Sequence, residues 1–219
     1  MTVPVEPGQV GRRARNMRDK QTRIFDAAAQ LFAERGFAAV TTQQISDRAD
    51  IAAGTLFRYA SSKGQLLLMV YNEDFRAALE SGERHARAVA DPVAAITALV
   101  RPIVSAAARN TENTIAYQRE LLFGPPTESY RRQGLALVAR MEEDLADILV
   151  AAAGGRATTP ELRESARVAG RAIFAVVHMA LVRPATGVDP HHDPVADLHL
   201  QIAQLVAGFL STSAAGKGS

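Results

Sequence analysis

The sequence contains no cysteine and no tryptophan, and aromatic residues make up only 5% of its 219 residues. Without cysteine, the chain forms no disulfide, no thiolate-bound zinc site and no thiol nucleophile, so thiol-dependent catalysis is excluded. A reducing compartment suits such a chain. Its abundant alanine, leucine, arginine and glutamate favour helices, and we predict an all-α fold.

Long apolar runs and catalytic patterns are also missing. No uninterrupted apolar stretch reaches the roughly 18 residues of a membrane span, and the basic amino terminus lacks the apolar core of a secretion signal. We therefore expect a cytoplasmic protein with no membrane partner. There is no nucleophile elbow, no Glu-x-x-His pair and no phosphate-binding loop. We predict that the protein is not an enzyme and binds no cofactor.

Charge is unevenly distributed along the chain. Residues 1–63 hold ten basic and six acidic residues, a net of +4, whereas the remainder holds fifteen basic and seventeen acidic residues, a net of −2. A basic amino-terminal unit on a slightly acidic body is typical of a nucleic-acid-binding module joined to a second domain.

Helix-breaking residues and hydrophobic periodicity divide the chain into four parts. Residues 1–16 lack periodicity and are expected to form a disordered basic arm, and residues 214–219 a disordered tail. Residues 17–63 are predicted to form a DNA-binding domain, with a connecting helix starting near residue 62, and residues 64–213 a larger helical domain. That domain's later helices are predicted at 92–109, 112–123, 127–153, 160–182 and 194–212.

The segment from Thr41 to Lys63 has the pattern of a helix-turn-helix. Thr41 and Gln44 form a capping-box pair, so a helix should begin at Thr42. Asp50 tolerates the left-handed conformation that a corner needs, and a short second helix should follow it. Such a helix, small and polar on its outer side, suits a major groove about 12 Å wide.

The next helix is expected to begin after Ser62, with Gln65 completing a second capping box. Its apolar residues extend to Leu79, well past the size of a DNA-binding module. We therefore predict that this helix joins the two domains, and that Ser81-Gly82 bends or frays it.

The amino-terminal residues resemble those of TetR-type (TetR/AcrR) transcriptional regulators over roughly residues 17–70. The residues that carry the resemblance are Ile24, Ala27-Ala28, Leu31-Phe32, Glu34, Gly36-Phe37, Thr41-Thr42, Ile45, Ala49, Gly54-Thr55-Leu56-Phe57, Tyr59, Lys63 and Leu66-Leu67. The resemblance implies a homodimer that binds a pseudo-palindromic operator in double-stranded DNA, usually as a repressor. It also implies release from DNA by a small-molecule effector.

The same resemblance implies individual roles. The residues expected to face DNA are Thr42, Gln43, Ala53, Thr55, Phe57, Arg58, Tyr59 and Lys63. Tyr59 and Lys63 would hold backbone phosphates, while Thr55 would face base edges. Ordinary capping and solvation remain the alternative for each. The sequence departs from the family pattern at Asp50, Ala52, Ala60 and Gly64, and these departures support a second hypothesis, a small-molecule-binding protein or enzyme with a vestigial DNA-binding module.

The helical body contains candidates for an effector cavity and for a dimer interface. Residues that could line a cavity for a largely apolar effector are Tyr117, Phe123, Met141, Phe174, His178 and Met179, although each could be plain core. The apolar residues expected to meet a second subunit are Ile173, Val176, Val177, Leu198, Ile202, Leu205 and Phe209. Metal-ligand side chains cluster at Asp189–Asp193, with Asp197 and His199 beyond, but a polar loop and helix cap explain them and we predict no metal site.

Overall fold

The structure, a computed structural model, describes residues 7–154, 159–183 and 194–215. Within these ranges it is all-α, as predicted, and contains no strand. The helices are α1 (Pro7–Ala39), α2 (Thr42–Arg48), α3 (Ala53–Leu56), α4 (Lys63–Ala86), α5 (Pro92–Ala108), α6 (Thr111–Phe123), α7 (Ser129–Ala152), α8 (Pro160–Val182) and α9 (Pro194–Ala215). The later helices match their predicted bounds within three residues, because proline, glycine and capping side chains mark their ends.

Helix α1 begins earlier than the predicted disordered arm allows. It starts at Pro7 and includes residues 7–16, which the sequence analysis assigned to that arm. Proline is tolerated in the first turn, and arginine, glutamine and alanine continue a helix that the buried face from Ile24 onward already stabilises. Near its other end, Gly36 has φ 76, a left-handed conformation that interrupts the helix at the predicted stop.

Two cores hold the molecule together, and α4 contributes to both. The first core joins α1 to α4 and includes Tyr117 and Leu121 of α6. The second joins the distal half of α4 to α5, α7, α8 and α9. Because side chains of α6 complete the first core, the helix-turn-helix is packed directly on the body. The division into domains near residue 63 therefore stays a prediction.

The connecting helix α4 differs from expectation in two details. The Ser62 hydroxyl accepts the amide of Gln65 at 3.1 Å. The Gln65 side chain is buried, and its Oε1 has no hydrogen-bond partner in the part of the chain that the structure describes, so the second capping box is incomplete. Gly82 lies inside an uninterrupted helix and packs against the backbone of Leu99 in α5. Glycine serves close helix packing here and does not bend α4.

A carboxylate cluster lies between α4 and α7. Asp144 faces Glu83, Arg140 and Asp147, and Arg140 also approaches Glu80 at 3.8 Å. Burial, reinforced by the charge of Glu83, raises the pKa of Asp144 to about 6. The native protein therefore holds a proton between pH 4 and 6 that the unfolded chain releases, so this group's contribution to stability falls as the pH rises through that window.

Asp144→Asn should stabilise the protein at pH 7.5 and not at pH 4. The rise in the pKa of Asp144 corresponds to roughly 3 kcal/mol of free energy. Because the carboxyl is partly exposed to solvent, we expect the gain in the free energy of unfolding to be about 1 kcal/mol. Urea unfolding of both proteins at the two pH values measures it, with pH 4 as the internal control. An equal effect at both pH values would contradict a titrating Asp144.

Candidate nucleic-acid interface and ligand cavity

Helix α2 starts as the local sequence predicts. The Thr41 hydroxyl accepts the amide of Gln44 at 3.2 Å, and the Gln44 side chain accepts the amide of Thr41 at 2.9 Å. This capping box sets the first helical residue at Thr42. Ile45 and Ala49 are buried on the inner face, which holds α2 against α1 and leaves Gln43 exposed, with its amide donating to Asp47 at 2.7 Å.

The corner between α2 and α3 is formed by Asp50, the one non-glycine residue with positive φ in the described chain, at φ 51. Arg23 of α1 donates to the Asp50 carbonyl at 3.3 Å and lies 3.4 Å from its carboxylate. The negative charge at this unusual turn position therefore has a cationic partner. The pair is solvent-exposed and contributes little to stability, but it offsets a charge near the face expected to meet DNA.

Helix α3 is a single turn held by one anchor. Ala52 supplies no side-chain cap, as its lack of a hydroxyl predicts, and Leu56 is fully buried. Phe57 directly after it is 51% exposed. The turn thus presents Ala53, Thr55 and Phe57 outward from a buried leucine. Ala60, another position at which the sequence departs from the TetR-type pattern, fills a buried position with a small side chain.

A polar groove lies between α3 and the start of α1. Its walls are Asn16, Met17, Lys20 and Gln21 on one side and Thr55, Arg58 and Tyr59 on the other. The Tyr59 hydroxyl lies 3.5 Å from the Met17 carbonyl. The sequence analysis missed Lys20 and Gln21; their four-residue spacing from Asn16 and Met17, which places them on one helix face, was the available signal.

Lys63 lies beside this face but already has partners. Its ammonium donates to the carbonyl oxygens of Phe37 at 2.8 Å, Val40 at 2.9 Å and Ala38 at 3.4 Å. It also lies 4.3 Å from the centre of the Phe37 ring. Lys63 therefore closes the carboxyl end of α1, where unpaired carbonyls favour a cation.

The same α1 segment is held from its other side by α6. Asn113, fully buried, accepts the amide of Phe37 at 2.6 Å and donates to the carbonyl of Phe32 at 2.8 Å. Glu112 accepts the amide of Ala38 at 2.7 Å. The segment that carries the carbonyl partners of Lys63 is thus fixed to the body through its amides.

Gly64 provides a second contact between α6 and the DNA-binding face. A Cβ atom at Gly64 would lie 2.3 Å from Oε2 of Glu120. Glycine lets this carboxylate approach the amino end of α4, where negative charge is favourable. Glu120 therefore brings a carboxylate to Gly64, one of the positions at which the sequence departs from the TetR-type pattern.

The body contains a cavity of about 60 Å³ beneath α4, α6 and α8. Four of the predicted ligand residues line it: Tyr117, Met141, Phe174 and His178. Phe123 and Met179 do not belong to it: Phe123 is 82% exposed at the end of α6, and Met179 is 55% exposed on α8. The helical spacing of these apolar side chains places them on one face of a helix. It does not show whether that face meets the cavity or the solvent.

The cavity lining is mainly apolar, with a polar edge. Burial raises the pKa of the Tyr117 phenol and of the Asp74 carboxyl above their usual values, and Arg109, 3.8 Å from Asp74, opposes the second shift. Burial lowers the pKa of His178. At neutral pH the tyrosine and the histidine are therefore uncharged.

The residues of α8 and α9 that were predicted to meet a second subunit do not lie on the outer faces of these helices. Ile173, Val177, Leu198, Ile202 and Phe209 are buried in the protomer's own core, and Val176 and Leu205 pack against it. Large apolar side chains exposed on the described parts of the two helices include Val168, Met179 and Leu200. Each helix needs one apolar face for its own core, and periodicity alone does not distinguish that face from an outward one.

Within the described residues, α8 is long and apolar enough to cross a membrane, and so is the bent pair of α5 and α6 taken together. This differs from the prediction based on uninterrupted apolar runs, because the apolar stretch of α8 contains Arg167 and Arg171. Only 22% of this stretch is buried inside the chain. An amphipathic helix with a covered and an uncovered face also explains this composition.

The predicted polar cluster lies partly outside the described residues, because residues 184–193 are not among them. Beyond that stretch, Asp197 accepts the side-chain amide of Gln201 at 2.7 Å, and His199 Nδ1 lies 3.2 Å from the Thr97 hydroxyl. In the described part of the chain, no three histidine or acidic side chains are placed to share a metal ion.

Sequence comparison matches residues 24–70 to the family model of bacterial regulatory proteins, tetR family. Among curated proteins, the chain is 34% identical over 106 residues to the HTH-type transcriptional repressor KstR of Mycobacterium tuberculosis, covering 48% of each chain. The chain thus spans about half the length of the curated relatives it matches.

Among solved structures, FadR of Thermus thermophilus, a TetR family transcriptional repressor in complex with lauroyl-CoA, matches with a TM-score of 0.66 and 24% identity. The alignment covers 84% of this chain and 92% of that one. FadR of Bacillus subtilis, in complex with stearoyl-CoA, matches with a TM-score of 0.62 and 21% identity over 86% and 98% of the two chains. At these identities the likeness concerns the fold. Residues 24–70 thus match the amino-terminal domain of the tetR family, and the fold of the described residues is like that of these solved regulators.

Proposed function

We propose that the protein is a ligand-responsive transcriptional repressor of the bacterial cytoplasm that binds a pseudo-palindromic operator as a homodimer. The observation that carries the proposal is the exposed face of α2 and α3 beside a groove that contains Lys20 and Arg58. The basic side chains would hold phosphates, and the outward residues of α3 would enter the major groove.

The departures from the family pattern are accommodated. Asp50 adopts the required turn conformation and pairs with Arg23, and Glu120 approaches the helix end at Gly64. The packing of α2 and α3 is therefore retained, which favours a working DNA-binding module over a vestigial one.

Dimerisation would use the outward faces of α8 and α9. These faces carry the exposed residues Val168, Met179 and Leu200, and Gly208 has open space around its Cα, which allows close approach of another helix. Pairing α8 and α9 with those of a second subunit forms a four-helix interface and places the two α3 helices on successive major grooves, about 34–36 Å apart.

The effector would enter the cavity between α4, α6 and α8. The cavity of about 60 Å³ is below the roughly 300–1,000 Å³ of occupied ligand sites, so a bound molecule must displace its walls. Helix α6 lines the cavity through Thr114, Gln118 and Leu121 and holds α1 through Asn113. Displacing α6 would therefore reposition the DNA-binding face. An apolar group such as the acyl chain bound to the Thermus FadR suits this lining.

Selection of bound DNA from random sequence tests the proposal. We expect an inverted repeat whose half-sites lie one helical turn apart. Failure to enrich any sequence at low salt would contradict the proposal and favour the vestigial module.

Substitutions of two basic residues, Arg58 and Lys63, distinguish phosphate binding from structural support. Arg58→Gln should lower the slope of log affinity against log salt by about 0.9, without changing stability, because Arg58 is exposed. Lys63→Ala should lower the slope by a similar amount, since the 3.4 Å contact to Ala38 is the one most readily exchanged for a phosphate oxygen.

Lys63→Ala should also reduce the free energy of unfolding by about 1–3 kcal/mol, because two partly buried carbonyls lose a charged donor. Mobility-shift titrations at several salt concentrations, with urea unfolding of the same proteins, measure both effects. A loss of stability with an unchanged salt slope would assign Lys63 to structural support alone.

A further inference from the structure

The cavity contains polar atoms that the protein itself does not satisfy. Its polar lining residues, ordered along the chain, are Tyr71, Asp74, Thr114, Tyr117, Gln118 and His178. In an apolar cavity each polar atom needs a hydrogen-bond partner, because an unpaired buried donor or acceptor carries a desolvation cost. Any of these six side chains that lacks a partner therefore indicates a hydrogen-bonding group that a ligand would supply.

Four of the six have partners within the protein. The Tyr71 hydroxyl is hydrogen-bonded to Asn113, and Asp74 lies 3.8 Å from the guanidinium of Arg109. The Tyr117 hydroxyl donates to Asn72 at 2.9 Å, and the Thr114 hydroxyl donates to a backbone carbonyl at 2.8 Å. None of these four needs a ligand.

The remaining two are orphaned. Oε1 of Gln118 and Nδ1 of His178 are shielded from solvent and have no hydrogen-bond partner among the described residues. They come from different helices, α6 and α8, and both side chains line the same cavity. The amide oxygen needs a donor, whereas the neutral imidazole offers a donor or an acceptor according to its tautomer.

The charge of the lining restricts the ligand further. In the described part of the chain, the lining contains Asp74 and no lysine or arginine. A carboxylate or phosphate placed among these residues would have no cation in the lining to pair with, since the nearby Arg109 already pairs with Asp74, and its burial would carry a large desolvation cost. The group that reaches Gln118 and His178 is therefore not an anion.

We infer that the effector's buried part is an apolar skeleton bearing a hydroxyl group, bound between Gln118 and His178. The inference rests on the proposed function only in calling this ligand the effector. A hydroxyl donates one hydrogen bond and accepts others, so it satisfies the Gln118 oxygen and pairs with His178 in either tautomer. Ether, thioester and ketone oxygens accept only and leave Gln118 unpaired.

Matched probes test the hydroxyl directly by calorimetry on the free protein. The linear set is 1-decanol, decyl methyl ether and decanoate, and the fused-ring set is decahydro-2-naphthol and its methyl ether. On at least one skeleton, the alcohol should bind about tenfold more tightly than its ether, since one hydrogen bond is worth about 1.4 kcal/mol. Decanoate should bind more weakly than 1-decanol.

Substitutions test the two residues. Gln118→Met should abolish the preference for alcohol over ether, and His178→Phe should reduce it. Without ligand, Gln118→Met should raise the melting temperature by about 2–4 °C, because it removes an unsatisfied buried acceptor at similar volume. Gln133→Met is the matched control; Gln133 is exposed on α7, so the same change there should alter neither quantity.

The inference is overturned if neither alcohol binds, if each ether binds as tightly as its alcohol, or if decanoate binds more tightly than 1-decanol. It is also overturned if Gln118→Met leaves the preference intact. These measurements need no DNA. A protein that binds the alcohols but selects no operator would refute the proposed function alone, and one that selects an operator but shows no such preference would refute this inference alone.

Discussion

Gly82→Ala is expected to reduce the free energy of unfolding by about 3 kcal/mol, within the upper range for overpacking. A Cβ atom at residue 82 would lie 2.0 Å from the carbonyl oxygen of Leu99 and 2.8 Å from its carbonyl carbon. Both are backbone atoms of α5, so α4 and α5 must separate to admit the methyl group. The gain in helix propensity, up to about 1 kcal/mol, does not offset this.

Urea unfolding followed by circular dichroism measures the loss. Gly54→Ala is the control, because a Cβ atom there meets nothing within 4 Å, and its stability should equal or slightly exceed that of the parent protein. Equal stability of the Gly82→Ala variant and the parent would mean that α4 and α5 lie further apart in solution than in this structure.

Asn113→Ala is expected to cost about 2–4 kcal/mol of unfolding free energy. The substitution leaves the amide of Phe37 and the carbonyl of Phe32 without their partner in a buried site, and each unsatisfied group costs about 1–3 kcal/mol. The Tyr71 hydroxyl also loses its hydrogen bond to Asn113. Amide hydrogen exchange at Phe37 should accelerate by a larger factor than exchange in α7.

The Asn113→Ala variant also tests whether α6 couples the cavity to the DNA-binding face through Asn113. With Asn113 removed, α6 holds α1 less firmly, and the carbonyls that bind Lys63 are less well positioned. Operator affinity should fall about tenfold even without effector, within the 0.5–2 kcal/mol typical of coupling positions. Glu112→Gln is the control, because a neutral amide oxygen can still accept the exposed Ala38 amide. Unchanged exchange and operator affinity in Asn113→Ala would exclude this route.

The structural features that the sequence predicts correctly have local causes. The capping box of Thr41 and Gln44 acts within one turn, and Asp50 tolerates the left-handed conformation that the corner requires. Helices α5 and α8 begin at Pro92 and Pro160 for equally local reasons, because a capping side chain directly precedes each proline. Each of these features depends on atoms a few residues apart, so a short window of sequence contains the whole explanation.

The incorrect predictions concern which face of a helix a side chain occupies. Phe123 and Met179 have the spacing of cavity residues but point to solvent, whereas Ile173 and Ile202 have the spacing of interface residues but fill the core. A periodic pattern reports that a helix has an apolar side. It does not report which neighbour that side meets, because the crossing angle and rotation of the helix are set by packing.

The sequence by itself determined that this protein is a bundle of helices with a TetR-type module at its amino end, because caps, breakers and motif residues act over a few positions. Only the tertiary structure decided that Lys63 binds the end of α1, that Asn113 ties that end to the cavity helix, and that Gln118 and His178 are left unpaired. These features join residues 26 and 76 positions apart or depend on a cavity shared by several helices. No local preference encodes such contacts; they exist only once the helices have packed.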